Sequence, residues 1–389
     1  MSDEVVFVAA RRTAIGSFQG QFAPVKSPQL GAAVIGAVMA DSGVAGEDIS
    51  EVIMGCVLPA GTGQAPARQA ALGAGLPLSA GATTINKVCG SGLKAAMLAN
   101  DLLLAGSADV VVAGGMESMT NAPYLMDRGL RMGHVQALDH MFYDGLQNPY
   151  DGNMMGGFAE KCAARYSFSR EDQDAFSQAS VERAMAAMQN GAFADEITPV
   201  TVKTRKGEVE ITADEEPPRC DVAKMAGLRP AFARDGTITA ASSSKISDGA
   251  AAFVMMRGSD AQARGLKPLA RVVAHATHAH EPEWFTTAPV GAIAKCLEKA
   301  GWRADQVDLW EINEAFATVT MAAMKEHGLD HAKVNVNGGA CALGHPIGAS
   351  GARILVTLIH ALRARNLKTG VASLCIGGGE GVALAVEVL

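Results

Sequence analysis

Two cysteines, a histidine and an asparagine stand beside turn-forming residues in segments where a side chain could do chemistry. Cys89 lies in residues 86–94, between a predicted strand and a predicted helix, and Gly-Ser-Gly follows it. A thiol at the start of a helix meets unpaired backbone N–H groups, so we expect a lowered pKa and a larger thiolate fraction. A buried structural cysteine could also occupy a helix start, but the flanking glycines favour a nucleophile that a substrate can approach.

The second cysteine, Cys375, ends a predicted strand and enters the glycine run 377–379. Such a run lets backbone N–H groups face a reacting oxygen. A phosphate-binding loop is disfavoured because no Gly-Lys-Ser/Thr ending follows. His345, held between Gly344 and Pro346, is a candidate base or hydrogen-bond donor, or simply a turn histidine. Asn313 precedes a predicted helix, and a helix N-cap is the simplest explanation for it when it is considered alone.

Taken together, these segments resemble the signature motifs of the thiolase family, and specifically of its biosynthetic acetyl-CoA acetyltransferase type. The matching stretches are residues 86–94, 313–317, 344–353 and 375–379, in the order and spacing of that family. The resemblance covers essentially the whole chain. It implies an α/β protein with a five-layered α-β-α-β-α fold, built from two similar βαβ-rich halves with an inserted loop domain.

The resemblance also implies roles for the reacting residues. Cys89 would attack an acyl-CoA thioester and become acylated, with His345 activating it. Cys375 would act as the acid/base at C2 of acetyl-CoA. Asn313, through a water, and His345 would form one oxyanion site, and the N–H groups of Cys89 and Gly377 the other. The expected reaction is the reversible Claisen condensation of two acetyl-CoA molecules to acetoacetyl-CoA and coenzyme A, with no metal or redox cofactor required.

Residues for binding the coenzyme A thioester follow from the same resemblance. Arg219 would meet the nucleotide and Ser244 the pantetheine, while Ala240, Phe232 and Phe316 line or flank the groove.

Near the acyl group the chain keeps Met155 of the family's His-Met-Gly segment, but Met154 replaces the histidine. Phe285 stands where short-chain enzymes often have Met. These two departures leave open a degradative 3-ketoacyl-CoA thiolase acting on longer chains. More distant alternatives are an acyl-carrier-protein condensing enzyme and a CoA-binding protein without catalysis.

The elements that must position these residues alternate between short apolar strands and helices, which predicts a mostly parallel sheet covered by helices. Residues 116–166 have weak periodicity and are expected to be largely irregular. The order strand, Ser-Gly at a helix start, strand, Gly-Gly-x-Glu occurs in residues 84–117 and again in residues 334–381, where Val334–Val336 would be the first strand. We therefore expect two similar halves and a site near the axis that relates them.

The length of 389 residues predicts two or three structural units. We expect an N-terminal half from residues 1–118 with 248–268, an inserted loop domain at 119–247, and a C-terminal half at 269–389. Members of the family are commonly dimers or tetramers, so a homotetramer or homodimer is expected.

Charge and composition exclude several other classes of function. The net charge of −7 argues against a nucleic-acid partner. The seven scattered cysteines contain no C-x-x-C pair and are typical of reduced thiols in the cytoplasm. The order of charges at the N-terminus does not fit a signal peptide, and no apolar run of about 18 residues predicts a membrane span. The histidines at 275, 278, 280, 327 and 331 lack an accompanying ligand set, so no metal site is expected.

Overall fold

Strands and helices alternate through most of the chain, and the computed structural model describes residues 3–129 and 131–389. The strands are β1 (Val5–Thr13), β2 (Gly16–Ser17), β3 (Glu51–Gly55), β4 (Gly81–Ile85), β5 (Val110–Ser118), β6 (Tyr124–Met126), β7 (Ala137–Asp139), β8 (Ile197–Thr198), β9 (Val200–Thr204), β10 (Gly207–Ile211), β11 (Ser247–Arg257), β12 (Ala270–Ala279), β13 (Leu309–Ile312), β14 (Thr369–Ile376) and β15 (Glu380–Val388). The helices are α1 (Ser27–Ser42), α2 (Pro66–Gly73), α3 (Ser91–Leu104), α4 (Met155–Tyr166), α5 (Arg170–Gln189), α6 (Gly258–Ala263), α7 (Ala288–Ala300), α8 (Ala317–His327), α9 (Ala340–Leu343) and α10 (Ile347–Ala364).

The main sheet consists of two half-sheets that meet at a narrow junction. Its strand order is β13-β14-β15-β12-β1-β11-β5-β3-β4. At the junction, β1 and β12 pair only through Val6 with Arg271 and Phe7 with Ala270. The pairs β3–β4, β3–β5 and β13–β14 are parallel, whereas β1–β11, β5–β11, β12–β15 and β14–β15 are antiparallel. The prediction of a mostly parallel sheet was therefore wrong, because β11 and β15 return beside their neighbours in the opposite direction.

Helices cover both half-sheets and also fill the space between them. Helices α3 and α10 share one apolar core with residues from both half-sheets. Helices α1 and α2 pack on the outer face of the N-terminal half-sheet, and α7 and α8 pack on the outer face of the C-terminal one. The result is the five-layered α-β-α-β-α arrangement that the resemblance implied.

The two central helices approach each other most closely at glycines. A Cβ atom on Gly92 would lie 2.6 Å from the backbone nitrogen of Ala352, and one on Gly351 would lie 2.4 Å from that of Leu93. These are the glycines of the two Ser-Gly pairs in the sequence repeat. Only glycine fits such a backbone contact, so each Ser-Gly pair fixes where α3 and α10 cross.

Helix α10 is long and apolar enough to cross a membrane by length and composition alone, yet 83% of that stretch is buried inside the fold. Its position between two half-sheets explains the composition, since a helix packed on several sides needs apolar residues around most of its surface.

Three other predictions about the elements were wrong. Val334–Val336 forms no strand: Val334 makes an isolated bridge to Trp310, and Asn335 takes a positive φ of 49°. Within the segment predicted to be irregular, Met155–Tyr166 is helix α4, which buries Phe158, Ala159, Cys162 and Ala163 on one face. Two glycines in its first turns hid that periodicity, and tertiary packing stabilises the helix.

The two Gly-Gly-x-Glu segments are also not equivalent. Glu117 lies inside β5, whereas Glu380 comes after a turn and begins β15, where it pairs with Lys87. The two segments share a sequence pattern but do not occupy equivalent positions in the two halves.

Candidate active site

Three loops and one strand end, from the two halves, bring the predicted reacting residues to one region. Cys89 follows β4, Asn313 follows β13, and His345 precedes α10, while Cys375 is the second-last residue of β14. Asn313 and Cys375 are close because β13 and β14 are parallel neighbours, and the Asn313 N–H donates to the Ser373 carbonyl at 3.0 Å. The backbone N–H of Gly377, two residues after Cys375, donates a hydrogen bond to Cys89. A negative charge on Cys89 raises the pKa of Cys375. The two cysteines therefore face a common space.

The turn that presents Cys89 is held in an unusual backbone conformation. Val88 has a φ of +45°, which is uncommon for a β-branched residue and costs conformational energy. The Ser91 hydroxyl holds the turn, donating to the Val88 carbonyl at 2.7 Å and accepting from the Lys87 N–H at 2.8 Å. Non-glycine residues held at positive φ are frequent at functional sites, where the surrounding fold enforces them.

The pKa of Cys89 differs from the value predicted from its position near a helix start. Desolvation by burial raises the thiol pKa to about 11, although hydrogen bonds from the N–H groups of Gly377 and Cys89 lower it. The expectation of a lowered pKa was wrong, because Gly90 is the N-cap and Cys89 lies outside the helix, in an apolar cluster with Val57, Leu58 and Ile347. At neutral pH the residue is a thiol and needs a base.

His345 is buried beside that cluster and is neutral. Desolvation, followed by the charge of Arg353, lowers the imidazole pKa to about 3. The Ser350 hydroxyl lies 2.5 Å from Nδ1 and 2.9 Å from the Pro346 carbonyl. The carbonyl can only accept, so the single hydroxyl proton points to it and Ser350 accepts from Nδ1–H. Nε2 therefore keeps a free lone pair and can accept a proton.

Asn313 is held close to the histidine by a buried carboxylate network. Its Nδ2 lies 3.5 Å from both ring nitrogens of His345. The neighbouring Glu314 accepts from the Ser180 hydroxyl, the Asn335 amide and the Cys341 N–H at 2.7, 2.8 and 3.0 Å, which fixes the loop that carries Asn313. The Asn313 Oδ1 is buried and has no hydrogen-bond partner among the described protein groups, so it requires a donor from outside the chain.

Cys375 is buried in an apolar cluster with Phe158, Phe285 and Phe316, against which Met155 packs. Desolvation, and then the charge of Cys89, raise its pKa well above that of a free thiol. A protonated thiol in this position can donate a proton, and the thiolate it leaves is a strong base because its mostly apolar surroundings disfavour the charge.

A cavity of about 200 Å³ opens beside His345. Of the residues predicted to bind the substrate, Ser244, Phe232, Met155 and Phe316 line it, and the rings of Phe232 and Phe316 meet edge to face at 5.8 Å. Most of the lining is apolar and comes from residues 119–246. The cavity can therefore take a slender, largely apolar ligand with its reactive end at His345.

The other predicted binding residues lie outside the cavity lining. Arg219 is exposed and pairs with Glu215 at 2.7 Å, and Ala240 is exposed, with its carbonyl accepting from Lys245. Phe285 is buried beside Cys375 and meets Phe158 edge to face at 6.4 Å.

Sequence reasoning did not identify several residues that support the site. Ser350 orients His345, and Lys245 lines the cavity while its carbonyl accepts the His345 N–H at 2.9 Å. Ser350 could have been found from its position five residues after the histidine, one turn into a helix that begins beside it. Lys245 has no such signal, because its contact depends on how the inserted segment folds back.

Comparisons with known proteins identify the family of the chain. The family described as "Thiolase, N-terminal domain" matches residues 5–259, and "Thiolase, C-terminal domain" matches residues 266–388. The chain is similar to an acetyl-CoA acetyltransferase of Chromobacterium violaceum (53% identity, 99% of each chain) and to one of Pseudomonas aeruginosa (50%, 98% of this chain and 99% of the relative).

Solved structures share the fold. The crystal structure of the Bacillus anthracis acetyl-CoA acetyltransferase superposes with a TM-score of 0.97 at 41% identity, covering 100% of this chain and 99% of that one. A thiolase from Ascaris suum in complex with coenzyme A gives 0.95 at 43% identity, covering 99% of this chain and 100% of that one. With both family domains matched and relatives at half identity over nearly the full length, this chain belongs to the thiolase family.

Proposed function

We propose that this protein is an acetyl-CoA C-acetyltransferase that condenses two acetyl-CoA molecules to acetoacetyl-CoA and coenzyme A, and catalyses the reverse thiolysis. The observation that carries the proposal is the meeting of two thiols from different halves, Cys89 partly exposed and Cys375 buried, beside a neutral histidine whose Nε2 can accept a proton. The relatives named acetyl-CoA acetyltransferase, at about half identity, support the acetyl substrate.

Acylation of Cys89 is the first step. His345 Nε2 takes the thiol proton as Cys89 Sγ attacks the carbonyl of acetyl-CoA. The C–S bond to coenzyme A breaks, and the leaving thiolate takes the proton from His345. A neutral imidazole is required at the start, and the low pKa of His345 supplies it at physiological pH.

Carbon–carbon bond formation is the second step. Cys375 first gives its proton to His345 Nε2, and the resulting thiolate takes a proton from C2 of a second acetyl-CoA, whose enolate attacks the acetyl group on Cys89. The C–S bond to Cys89 then breaks, and the Cys89 sulfur takes the proton held by His345, while Cys375 keeps the proton from C2. Both cysteines are regenerated, so no redox partner or metal takes part in this proposal.

Two sets of donors would stabilise the negative charge that forms in these steps. His345 and a water held by Asn313 would face the enolate oxygen, and the unpartnered Asn313 Oδ1 supports such a water. The N–H groups of Cys89 and Gly377 would face the oxyanion of the acyl group, and both already point at the Cys89 sulfur. Preorganised donors of this kind each contribute about 3–4 kcal/mol to transition-state binding.

The coenzyme A part of the substrate would lie along the cavity. Ser244 would contact the pantetheine between Phe232 and Phe316, and Arg219 and Ala240 would lie farther out towards the nucleotide. The proposed inserted domain at 119–247 would supply most of this groove.

We further propose a homotetramer or homodimer in the cytoplasm. On the hairpin formed by β6 and β7, side chains such as Tyr124, Met126 and Met132 are exposed by 71%, 66% and 96%, and an apolar group of this kind favours contact with another copy. All seven cysteines are free, which supports a reducing compartment.

The preference for short acyl chains is tested with substrates of increasing length. We expect thiolysis of acetoacetyl-CoA to exceed that of 3-ketohexanoyl- and 3-ketooctanoyl-CoA by at least about tenfold in kcat/KM, because a small pocket rejects added methylenes at about 1–3 kcal/mol each. Met154, which lines the cavity, and Phe285, which packs beside Cys375, are the observations that favour a longer-chain enzyme instead. Equal or higher kcat/KM for the longer substrates would establish that alternative.

The orientation of His345 gives a second test. Ser350→Ala removes the acceptor for Nδ1–H, so the ring can change tautomer and lose its free Nε2. We expect the rate of Cys89 acylation to fall about 10–100-fold, part of the 10²–10⁴-fold that a positioned base contributes.

The matched control for this variant is Ser373→Ala, which removes a buried hydroxyl that donates to the Val382 carbonyl at 2.9 Å. It should acylate normally. Nitrogen-15 shifts of the histidine ring should report Nδ1–H in the wild type and a mixture of tautomers in Ser350→Ala; an unchanged tautomer with unchanged acylation would contradict the role given to Ser350.

A further inference from the structure

Glu117 is a buried carboxylate beneath the active site that the mechanism above does not use. Its side chain is fully buried at the end of β5, and none of the ion pairs among the described residues includes it. Its Oε2 accepts from the N–H groups of Val57 and Gly348 at 2.9 Å each, and Oε1 accepts from the Leu58 N–H at 3.2 Å. A buried carboxylate with no ion-pair partner among the described residues is costly to keep, so its position needs an explanation.

These donors belong to both halves of the protein. Val57 and Leu58 follow β3 in the N-terminal half and pack against Cys89. The Val57 carbonyl also accepts from the Asn86 amide at 3.5 Å, on the segment that leads to Cys89. Gly348 belongs to the C-terminal half and lies three residues after His345. One carboxylate therefore joins Val57 and Leu58, which pack against Cys89, to the first turn of α10, which follows His345.

The fit around this carboxylate leaves little freedom. A Cβ atom on Gly348 would lie 2.6 Å from Glu117 Oε2, and one on Gly115 would lie 2.1 Å from the Gly348 carbonyl oxygen. The first turn of α10, which follows His345, therefore rests directly on β5. A shift of Glu117 would move this turn relative to Val57 and Leu58.

We propose that Glu117 is a positioning residue that holds the His345 loop of one half against the Cys89 loop of the other; this rests on the function proposed above. The carboxylate also acts on the thiols that face it. Its Oε1 lies 3.7 Å from the Cys56 sulfur, and its charge raises the pKa of Cys89. Burial raises the pKa of Glu117 itself to about 7, against the hydrogen bonds from Val57, Leu58 and Gly348 that lower it.

Glu117→Gln tests the proposal because it keeps the shape but replaces one acceptor oxygen with a donor NH₂ that opposes a backbone N–H. We expect kcat for thiolysis of acetoacetyl-CoA to fall about 100-fold, as for a misplacement of about 1 Å, while KM changes less than about threefold. Loss of the charge should also move the pH midpoint of Cys89 alkylation by iodoacetamide to lower pH, measured at that residue by mass spectrometry.

Glu117→Asp separates the charge from the reach of the side chain. It keeps the carboxylate but is one methylene too short to meet Gly348, so kcat should fall about tenfold while the alkylation midpoint stays at the wild-type pH. If Glu117→Gln does not fold, this variant alone decides: wild-type kcat in Glu117→Asp overturns the proposal.

The matched control is Asp308→Asn, at the opposite end of the C-terminal half-sheet. Asp308 likewise accepts two backbone N–H groups, from Lys368 and Thr369, at 2.9 Å each. Its variant should keep the wild-type kcat and alkylation profile. An equal loss of kcat in Asp308→Asn, an unchanged kcat in Glu117→Gln, or the same shift of the midpoint in both Glu117 variants would each overturn the positioning role. A wild-type protein that fails to cleave acetoacetyl-CoA would instead overturn the proposed function. The pH midpoints of Cys89 alkylation in the wild type and the Glu117 variants could still be compared, because alkylation does not require that activity.

Discussion

Replacing Cys89 with serine is expected to abolish acylation by acetyl-CoA and to lower thiolysis of acetoacetyl-CoA by at least about 10⁴-fold, as for loss of a catalytic nucleophile. The reason lies in how tightly His345 and the residue at position 89 each bind a proton. With a pKa of about 3, His345 is a weak base, and even the Cys89 thiol, at about 11, is hard for it to deprotonate. A serine hydroxyl binds its proton several orders of magnitude more tightly, so the same histidine cannot activate it.

Incubation with acetyl-CoA labelled in the acetyl group measures acylation directly, with the labelled peptide identified by mass spectrometry. Cys220→Ser is the matched control, because Cys220 is also a partly exposed free thiol but packs in a different cluster. It should take up label at the wild-type rate. Acetyl label on another residue in Cys89→Ser, at a rate near that of the wild type, would show that the acyl group is carried elsewhere.

The residues of this site were predictable because their signals are local. Cys89, His345 and Cys375 each stand beside glycines in short segments of the chain, and the spacing of the segments does not depend on the packing between them. The central helices were predictable for a related reason: Gly92 and Gly351 mark the crossing because a backbone-to-backbone approach leaves room only for glycine.

Properties that depend on several segments at once were not predictable from the sequence. The pKa of Cys89 is set by the apolar cluster of Val57, Leu58 and Ile347, which come from three separate parts of the chain, and this desolvation outweighs the nearby helix. The strand expected at Val334–Val336 is absent because Asn335 uses its side chain to pair with the backbone of Ile312, accepting from its N–H and donating to its carbonyl at 2.8 Å each. Here one side chain makes the hydrogen bonds that the backbone of a neighbouring strand would make. Such a contact gives no periodic pattern in the sequence.

The same reasoning explains why the repeated Gly-Gly-x-Glu pattern predicts equivalent positions for Glu117 and Glu380, which the structure does not have. Both follow a glycine pair, but a strand passes through the first segment and a turn interrupts the second, where Gly378 and Gly379 have φ values of +89° and +87°. Glycine permits both conformations, so its presence alone could not decide between them.

Cys375→Ser is expected to separate the two halves of the reaction. Acylation of Cys89 should persist within about threefold of the wild-type rate, because His345 and the N–H of Gly377 remain in place. Exchange of the methyl protons of acetyl-CoA with solvent deuterium should fall about 10³-fold, within the range for loss of a general acid/base. In the apolar cluster with Phe158, Phe285 and Phe316 a serine alkoxide is much less favourable than a thiolate, so the serine cannot take the C2 proton.

Proton NMR of acetyl-CoA in deuterated buffer measures this exchange, and Cys296→Ser provides the control. Cys296 is buried like Cys375, but it lies in α7 on the outer layer, where its thiol meets the Ala274 carbonyl at 3.5 Å and a hydroxyl can do the same. That variant should exchange normally. Loss of both acylation and exchange in Cys375→Ser would assign Cys375 to the activation of Cys89, whereas unchanged exchange would assign the C2 proton to another base. Only acylation without exchange fits a site in which each half of the protein supplies one thiol for one step.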